Sequence, residues 1–259
     1  MILAIDVGNT ETVVGLFRES DDPGEPLHAW RFATDPRRTS DEHAFLLRGF
    51  LDRYRSPSDE PLRRAVVASV VPSMDRVWEG ACRRLNVEHL AVDAGAGLPI
   101  ELDVEDPAGV GADRIANTLA ADHLYGRDAV VVDLGTATTF DCITADGVFR
   151  GGVIAPGPRA GAEHLGRAAS RLPQVEVAVP QRVVGRRTEA CVNSGVFYSV
   201  VDSIDGIVGR VLDEWRPDDP LVVATGGLVD LIAPHCESVD RVERHLTLIG
   251  IALADRHLG

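Results

Sequence analysis

Two distant stretches of this chain share one construction. In the first, Ile2–Ile5 lead into Asp6, Val7, Gly8, Asn9 and Thr10. In the second, Val130–Val132 lead into Asp133, Leu134, Gly135, Thr136 and Ala137. Each reads as an apolar strand that ends in an acid and turns through glycine, and each is followed at once by a second strand. A carboxylate cannot be left unpaired in a core, so each acid must stand where its strand opens. Two such hairpins predict an internal duplication: two α/β halves, each headed by a strand–Asp–Gly turn, with mixed sheets.

The rest of the pattern fits that plan. Strands are expected over 2–7 and 12–17, followed by a polar turn over 19–26 and a third strand in "HAWRFAT". "TSDEHAFLLRGFLDRY" carries apolar residues at helical spacing behind the candidate caps Thr39 and Ser40. "RRAVVASVVP" reads as a buried strand and "SMDRVWEGACRRL" as a helix capped by Ser73, with "HLAVDA" as the next strand. A Gly/Pro-rich loop then precedes the helix "IANTLAADHLYG". The second half runs through strands in "DAVVVDL", "TTFDCITAD" and "GVFRGGVIAPG", a helix in "PRAGAEHLGRAASRL", and one long helix or two joined helices over 188–215. "LVVATGGLVDLI" is strand, glycine turn and helix, and "LTLIGIALADRHL" is a closing helix. The expected domains are 1–115, with helix 246–259 packing back on it, and 116–245.

All 26 basic residues are arginine. A P-loop, a protein-kinase site and a pyridoxal phosphate site each need a lysine, so all three are excluded. The net charge of -14 and the short, scattered arginine pairs argue against a nucleic-acid surface. No apolar run reaches the roughly 20 residues of a membrane span, and Met1 leads into a strand with no basic leader. Cys82, Cys142, Cys191 and Cys236 form no C-x-x-C pair, which fits reduced thiols in a cytoplasm. The eight histidines form no ligand cluster. His43, His123 and His164 fall on expected helices and read as surface or subunit-contact residues. The apolar stripe over 191–212 reads as core or subunit interface.

Phosphate chemistry without lysine must use backbone N–H groups, hydroxyls, arginine and bound cations. At the first turn, Asn9 and Thr10 supply donors and Asp6 can hold a cation. At the second, Thr136, Thr138 and Thr139 offer hydroxyls beside Gly135. In "ATGG", Gly226 and Gly227 follow a strand and let a base or ribose approach the backbone. Taken singly, these are also ordinary turn and strand residues.

In order along nearly the whole chain, "AIDVGNT", "GVGADRIANTLAA", "VVVDLGTATTFD", "GGVIAPG", "RLPQVE" and "ATGG" resemble the type III pantothenate kinase family of the ASKHA superfamily. The resemblance implies two related ribonuclease H-like, actin-like ATPase domains with ATP in the interdomain cleft. It implies ATP-dependent phosphorylation of pantothenate to 4′-phosphopantothenate, the first step of coenzyme A synthesis, by a cytoplasmic homodimer that needs Mg²⁺ and either K⁺ or NH₄⁺. Carried over, Asp6, Val7, Gly8, Asn9, Thr10, Glu11, Thr12 and Val13 line the ATP phosphates, and Thr136 touches ATP. Gly111, Ala112, Asp113, Arg114 and Thr188 hold pantothenate, Asp113 is the general base, and Asp133 binds the monovalent cation. Arg114 can pair the pantothenate carboxylate or form a structural ion pair; the sequence leaves both open. The chain departs from the family pattern at Glu11, Val104, Asp106 and Gly109, which bears on the shape of the pantothenate pocket. The family also includes members described as accessory transcription factors, and a non-catalytic regulator is the alternative.

Overall fold

The structure is a computed structural model that describes residues 1–20, 22–56 and 59–259. The polar turn expected over 19–26 includes Asp21, which lies outside the described residues. The chain divides into two compact units. One holds Met1–Tyr125, Gly147–Phe149 and His245–Gly259; the other holds Gly126–Asp146 and Arg150–Arg244.

The first unit is built on β1 (Ile2–Val7), β2 (Glu11–Phe17), β3 (His28–Ala33), β4 (Arg64–Ser69) and β5 (Glu88–Val92). Their order across the sheet is β3-β2-β1-β4-β5. β1 runs antiparallel to β2 and parallel to β4, so it stands where hairpin pairing gives way to crossover pairing. Helices α1 (Ser40–Tyr54) and α2 (Asp75–Leu85) supply the crossovers. After the two-residue strand β6 (Glu101–Leu102) comes α3 (Ala112–Tyr125). The expected boundary at 115/116 falls inside this helix, and the compact units change over after Tyr125.

The second unit repeats the arrangement with β7 (Ala129–Leu134), β8 (Ala137–Ile143), β9 (Val148–Pro156, whose first two residues are counted with the first unit), α4 (Pro158–Ala168), α5 (Thr188–Trp215), β10 (Leu221–Thr225), α6 (Val229–Ile232) and β11 (Arg241–Val242). The strands of this sheet run in the order β11-β10-β7-β8-β9-β6; β11 to β9 follow the same plan of third, second, first, fourth and fifth strands read from the other edge, and β6 pairs with the start of β9. β7 is antiparallel to β8 and parallel to β10, as β1 is to β2 and β4. The likeness extends to single side chains. In both β1 and β7 every residue is buried except the next to last, Asp6 and Asp133, and β2 and β8 share one burial pattern throughout. The duplication expected from two turns is therefore present at the level of topology. The 188–215 segment is one continuous helix, and its apolar stripe (Val192, Val196, Phe197, Val201, Ile204, Val208) fills the core of this unit.

A local signal explains the start of α1. Thr39 closes a capping box on α1: the Glu42 N–H donates to its hydroxyl at 3.4 Å, and its own N–H donates to the Glu42 carboxylate at 2.7 Å. Two expectations need correction. Ser73 does not cap α2, because Pro72–Met74 forms a 3₁₀ turn that hands the chain directly into the helix. His43 is wholly buried rather than on the surface; its ring lies 4.4 Å from that of Trp78, on the same face of α1 as Ala44 and Leu47. His123 and His164 are exposed.

The last helix, α7 (Leu246–Leu258), is buried without interruption from Leu246 to Asp255. It packs on β1, β4 and α3 within the first unit. Such a helix can carry a charge only if the charge is met, and Arg64 of β4 meets Asp255 with two bonds of 2.6 and 2.7 Å. Asp255 is 3% exposed, so removing it strands the guanidinium at a largely dry site. Arg64 keeps some solvent and a second partner in Glu19, so we expect Asp255→Ala to lower unfolding stability by about 2–3 kcal/mol, below the full cost of breaking a buried pair. Urea denaturation measures it, and a change under about 0.5 kcal/mol, the range of ordinary surface substitutions, would show that the ion pair does not hold α7.

Candidate active site

In the first unit the hairpin β1–β2 closes through Gly8, Asn9 and Thr10, with the Gly8 N–H donating to the Glu11 carbonyl at 3.1 Å. Asn9 and Thr10 are exposed, and Asp6 and Glu11 are half-buried. Thr12 is fully buried, its hydroxyl 2.8 Å from that of Thr34. Val7 is also fully buried. The side chains this turn offers to a ligand are therefore those of Asp6, Asn9, Thr10 and Glu11. Glu11 is engaged by Arg31 at 3.1 Å.

Asp113 reaches the neighbourhood of this turn through two contacts. The Val70 N–H, just past β4, donates to the Val7 carbonyl at 3.1 Å, next to Gly8. Gly111 lies against Val70: a Cβ built on it would stand 3.4 Å from Val70 Cγ1 and only 2.5 Å from Asp113 Oδ1. The Asp113 carboxylate thus folds back over a glycine that has no side chain to block it. The 3₁₀ turn Pro107–Gly109 delivers the chain to this point, and Asp113 sits in the first turn of α3. The Arg114 N–H donates to Asp113 Oδ1 at 2.8 Å. Desolvation by burial raises the Asp113 carboxyl above its ordinary value, against the opposing pull of that N–H and of the Arg114 charge. Arg114 places its guanidinium 4.9 Å from the centre of the Phe149 ring, a cation–π arrangement that fixes its plane.

In the second unit three glycine turns meet around the end of β7. The Gly135 N–H donates to the Ala137 carbonyl at 3.0 Å, making the β7–β8 turn. Gly157, at the start of α4, lies so close that a Cβ there would fall 2.6 Å from the Gly135 carbonyl oxygen. Gly226, at φ +97°, passes Asp133: a Cβ there would stand 2.6 Å from the Leu134 nitrogen and clash with the Asp133 carboxylate. Only glycine meets both demands at 226. The Leu228 N–H closes the group by donating to the Leu134 carbonyl at 3.3 Å. Asp133 is half-buried, and Gly135 and Thr136 are exposed.

The structure therefore brings Asp6, Gly8, Asn9 and Thr10 to one turn, with Gly111, Asp113 and Arg114 beside it, and gathers Asp133, Thr136 and Gly226 in the other unit. Gly227 follows directly and is exposed; Ala112 is buried, Val13 is half-buried, and Thr188 is the exposed first residue of α5. Sequence reasoning assigned no role to Val70, Phe149 or Gly157. Gly157 carried a signal, a glycine between a strand and a Pro-initiated helix; the other two become neighbours of the site only through folding. Among the described residues no three His, Cys, Asp or Glu side chains gather as a metal-ligand cluster. The thiols of Cys82 and Cys236 are pushed up to about 12 by burial, which makes them poor nucleophiles.

Comparison with known proteins narrows the chemistry. Residues 2–210 match the family model described as type III pantothenate kinase. A protein of that name from Syntrophotalea carbinolica is 44% identical over 256 residues, covering 98% of this chain and 97% of its own. Another from Shouchella clausii is 42% identical over 252 residues, covering 97% of each. Among solved structures, a ROK family glucokinase from Streptomyces griseus superposes with a TM-score of 0.55 at 12% identity, over 97% of each chain. A putative Baf family transcriptional activator from Campylobacter jejuni gives 0.57 at 19%, over 98% of this chain and 97% of its own. At such identities the two structures share the fold alone.

The raised carboxyl of Asp113 has a consequence for stability. A carboxylic acid whose folded pKa lies above its unfolded value stabilises the fold while protonated, and that contribution is lost as pH rises from about the ordinary 3.8 through the raised value. Asp113→Asn keeps an oxygen for the Arg114 N–H and cannot ionise. It should melt at a higher temperature than the wild type at pH 7–8, and the gap should close as the medium is acidified below that window. A gap independent of pH between 3.5 and 8 would contradict the desolvation account.

Proposed function

Since the chain belongs to the type III pantothenate kinase family, we propose that it transfers the γ-phosphoryl group of ATP to the primary hydroxyl of pantothenate with Asp113 as general base. The observation that supports the assignment of the base is the placement of its carboxylate over Gly111, two contacts from the end of β1. Phosphoryl transfer asks chiefly for alignment and charge stabilisation. The hydroxyl oxygen attacks the γ-phosphorus, the bond to the ADP oxygen breaks, and the hydroxyl proton passes to Asp113. The Arg114 N–H holds Oδ1, which directs Oδ2 to the proton. Arg114, its plane set by Phe149, pairs the pantothenate carboxylate. Thr188, exposed at the head of a long helix, is the further pantothenate contact in this reading.

Both units carry a turn suited to nucleotide in this reading. Gly8, Asn9 and Thr10 offer donors to phosphate oxygens at the carboxyl end of β1, and Asp6 stands behind them. In the second unit the bare backbone at Gly135, Gly157, Gly226 and Gly227 lets nucleotide approach, and Thr136 supplies a hydroxyl. The cations fit the donors present. Asp133 and the adjacent turn carbonyls are hard oxygen ligands of the class that K⁺ or NH₄⁺ accepts, and Asp6 is a carboxylate suited to water-mediated Mg²⁺. When bound, such cations neutralise charge on the phosphates.

A homodimer belongs to the same reading. Val183 and Val184 stand 65% and 78% exposed on the segment leading into α5, two adjacent apolar side chains that a partner subunit would cover. A cytoplasmic setting is supported by four cysteines that are all free. Among the described residues no helix is long and apolar enough to cross a membrane.

Purified protein given pantothenate, ATP, Mg²⁺ and K⁺ should form phosphopantothenate, and omitting the monovalent cation should reduce turnover. Absence of product from a folded sample would refute the activity. Asp113→Asn should lose roughly 10²–10⁴-fold in kcat, the usual contribution of a general base, with nucleotide affinity retained. Because the base must be ionised and its carboxyl is raised, the acid limb of the kcat/KM profile should lie above the ordinary aspartate value of 3.8 and vanish in Asp113→Asn.

A further inference from the structure

The residue proposed as base sits at the tip of α3, and the structure shows what fixes that helix. α7 crosses it one turn below Asp113. Gly250 lies against the Ala116 backbone so tightly that a Cβ on it would fall 1.9 Å from the Ala116 carbonyl oxygen and 2.5 Å from its carbon. On the same face of α7, three residues earlier, the Thr247 hydroxyl donates to the Asn117 side-chain oxygen at 2.8 Å. Asn117 is fully buried, and Thr247 is 9% exposed. Ala116 and Asn117 follow Asp113 by three and four residues, so both contacts act one helical turn from the carboxylate. A steric contact sets how closely the helices approach, and a buried hydrogen bond sets their rotation and slide.

The other side of α7 is tied to the sheet that carries the Gly8 turn. Asp255 is bonded to Arg64 of β4, and β4 pairs along its length with β1. A rigid path therefore runs from the strand bearing Asp6 through β4 and α7 to the second turn of α3. Neither Thr247 nor Gly250 lies in the described turns, and no sequence motif singled them out.

We propose that Thr247 and Gly250 are positioning residues that clamp α3 so that the Asp113 carboxylate is held in register with the phosphate turn at Gly8. The proposal rests on Asp113 being the base. A catalytic group misplaced by even 1 Å can cost about 10²-fold in rate, so the clamp should be visible in kcat while nucleotide binding, which uses the strand ends, is unaffected.

The test measures kcat, the KM for ATP and the pH profile for Thr247→Val, Thr247→Ser, Gly250→Ala and Asp113→Asn in the full-length protein. Thr247→Val keeps the shape and removes the hydroxyl; kcat should fall on the order of tenfold with the KM for ATP within about twofold of wild type. Thr247→Ser restores a hydroxyl and should recover most of the loss. Gly250→Ala should fall further, about 10²-fold, because one helix must shift. Were Gly250→Ala not to fold, Thr247→Val alone would decide. Thr247→Val with unchanged kcat, or an activity loss that merely tracks the fraction unfolded and is not rescued by serine, would overturn the clamp while leaving the base reading intact if Asp113→Asn is inactive. Wild-type turnover by Asp113→Asn would instead overturn the base, and the clamp with it.

Discussion

A carboxylate one residue from the end of an otherwise buried strand is tolerable only where that end opens. Asp6 and Asp133 both occupy that position, each half-buried while every other residue of its strand is fully buried. The requirement fixes much else. It makes the carboxyl end of each central strand the polar end of its sheet, so the crossovers must keep bulk away from it. In the second unit they do so with glycine: Gly135, Gly157 and Gly226 crowd the Asp133 end with backbone alone. In the first unit the corresponding strand end is occupied by Val70, against which Gly111 brings the Asp113 carboxylate. One duplicated frame thus ends in two chemistries. One end is a bare backbone pocket around a single acid; the other is a donor turn with a second acid laid beside it.

Charge explains why the backbone is so prominent. The chain carries 40 acidic residues against 26 arginines and no lysine, so its mean field repels polyanions. Local groups must overcome that field. In the proposed reading, turn N–H groups act as fixed dipoles that need no counter-charge, and hard cations held by isolated carboxylates would add positive charge where phosphates require it. Arginine is suited to the remaining task. It cannot lose its proton, and its planar fork matches a carboxylate. Arg114 meets both conditions, with Phe149 beneath it to hold the plane.

The parts of this arrangement that were legible in the sequence are those encoded within a few residues. The hairpins, the cap of α1 at Thr39 or Ser40 and the strand–glycine turns each depend on neighbours in the chain, and each can be read from spacing. His43 shows where such reading stops. Its spacing put it on α1, but whether a histidine on an apolar face faces water depends on Trp78, which comes from a different helix. Ser73 misled for a related reason: a good capping residue followed Pro72, and the proline favoured a 3₁₀ turn instead. Val70, Phe149 and Gly250 carry no local signal at all. Their roles arise from β4 pairing with β1, from Val148–Phe149 pairing with β6, and from α7 folding back on α3. A valine, a phenylalanine and a helical glycine are unremarkable until those long-range contacts exist.

The cost of the site helps explain why the closing helix is so completely buried. A carboxylate kept partly out of water with a raised pKa is a poor contributor to stability at neutral pH, and an acid with the proposed role of base cannot be relieved by neutralising it. The compensation has to come from residues that do no chemistry. The unbroken buried run from Leu246 to Asp255 removes apolar surface from water along β1, β4 and α3 together. Its one buried charge, Asp255, is spent on the ion pair that ties the helix to the sheet. Gly250 sharpens the point. Glycine inside a helix sacrifices about 1 kcal/mol against alanine, yet here it allows α7 and α3 to touch backbone to backbone. A helix selected for stability alone would carry alanine at 250 and stand farther from α3, so the glycine is best understood as stability given up for the position of the residue one turn away.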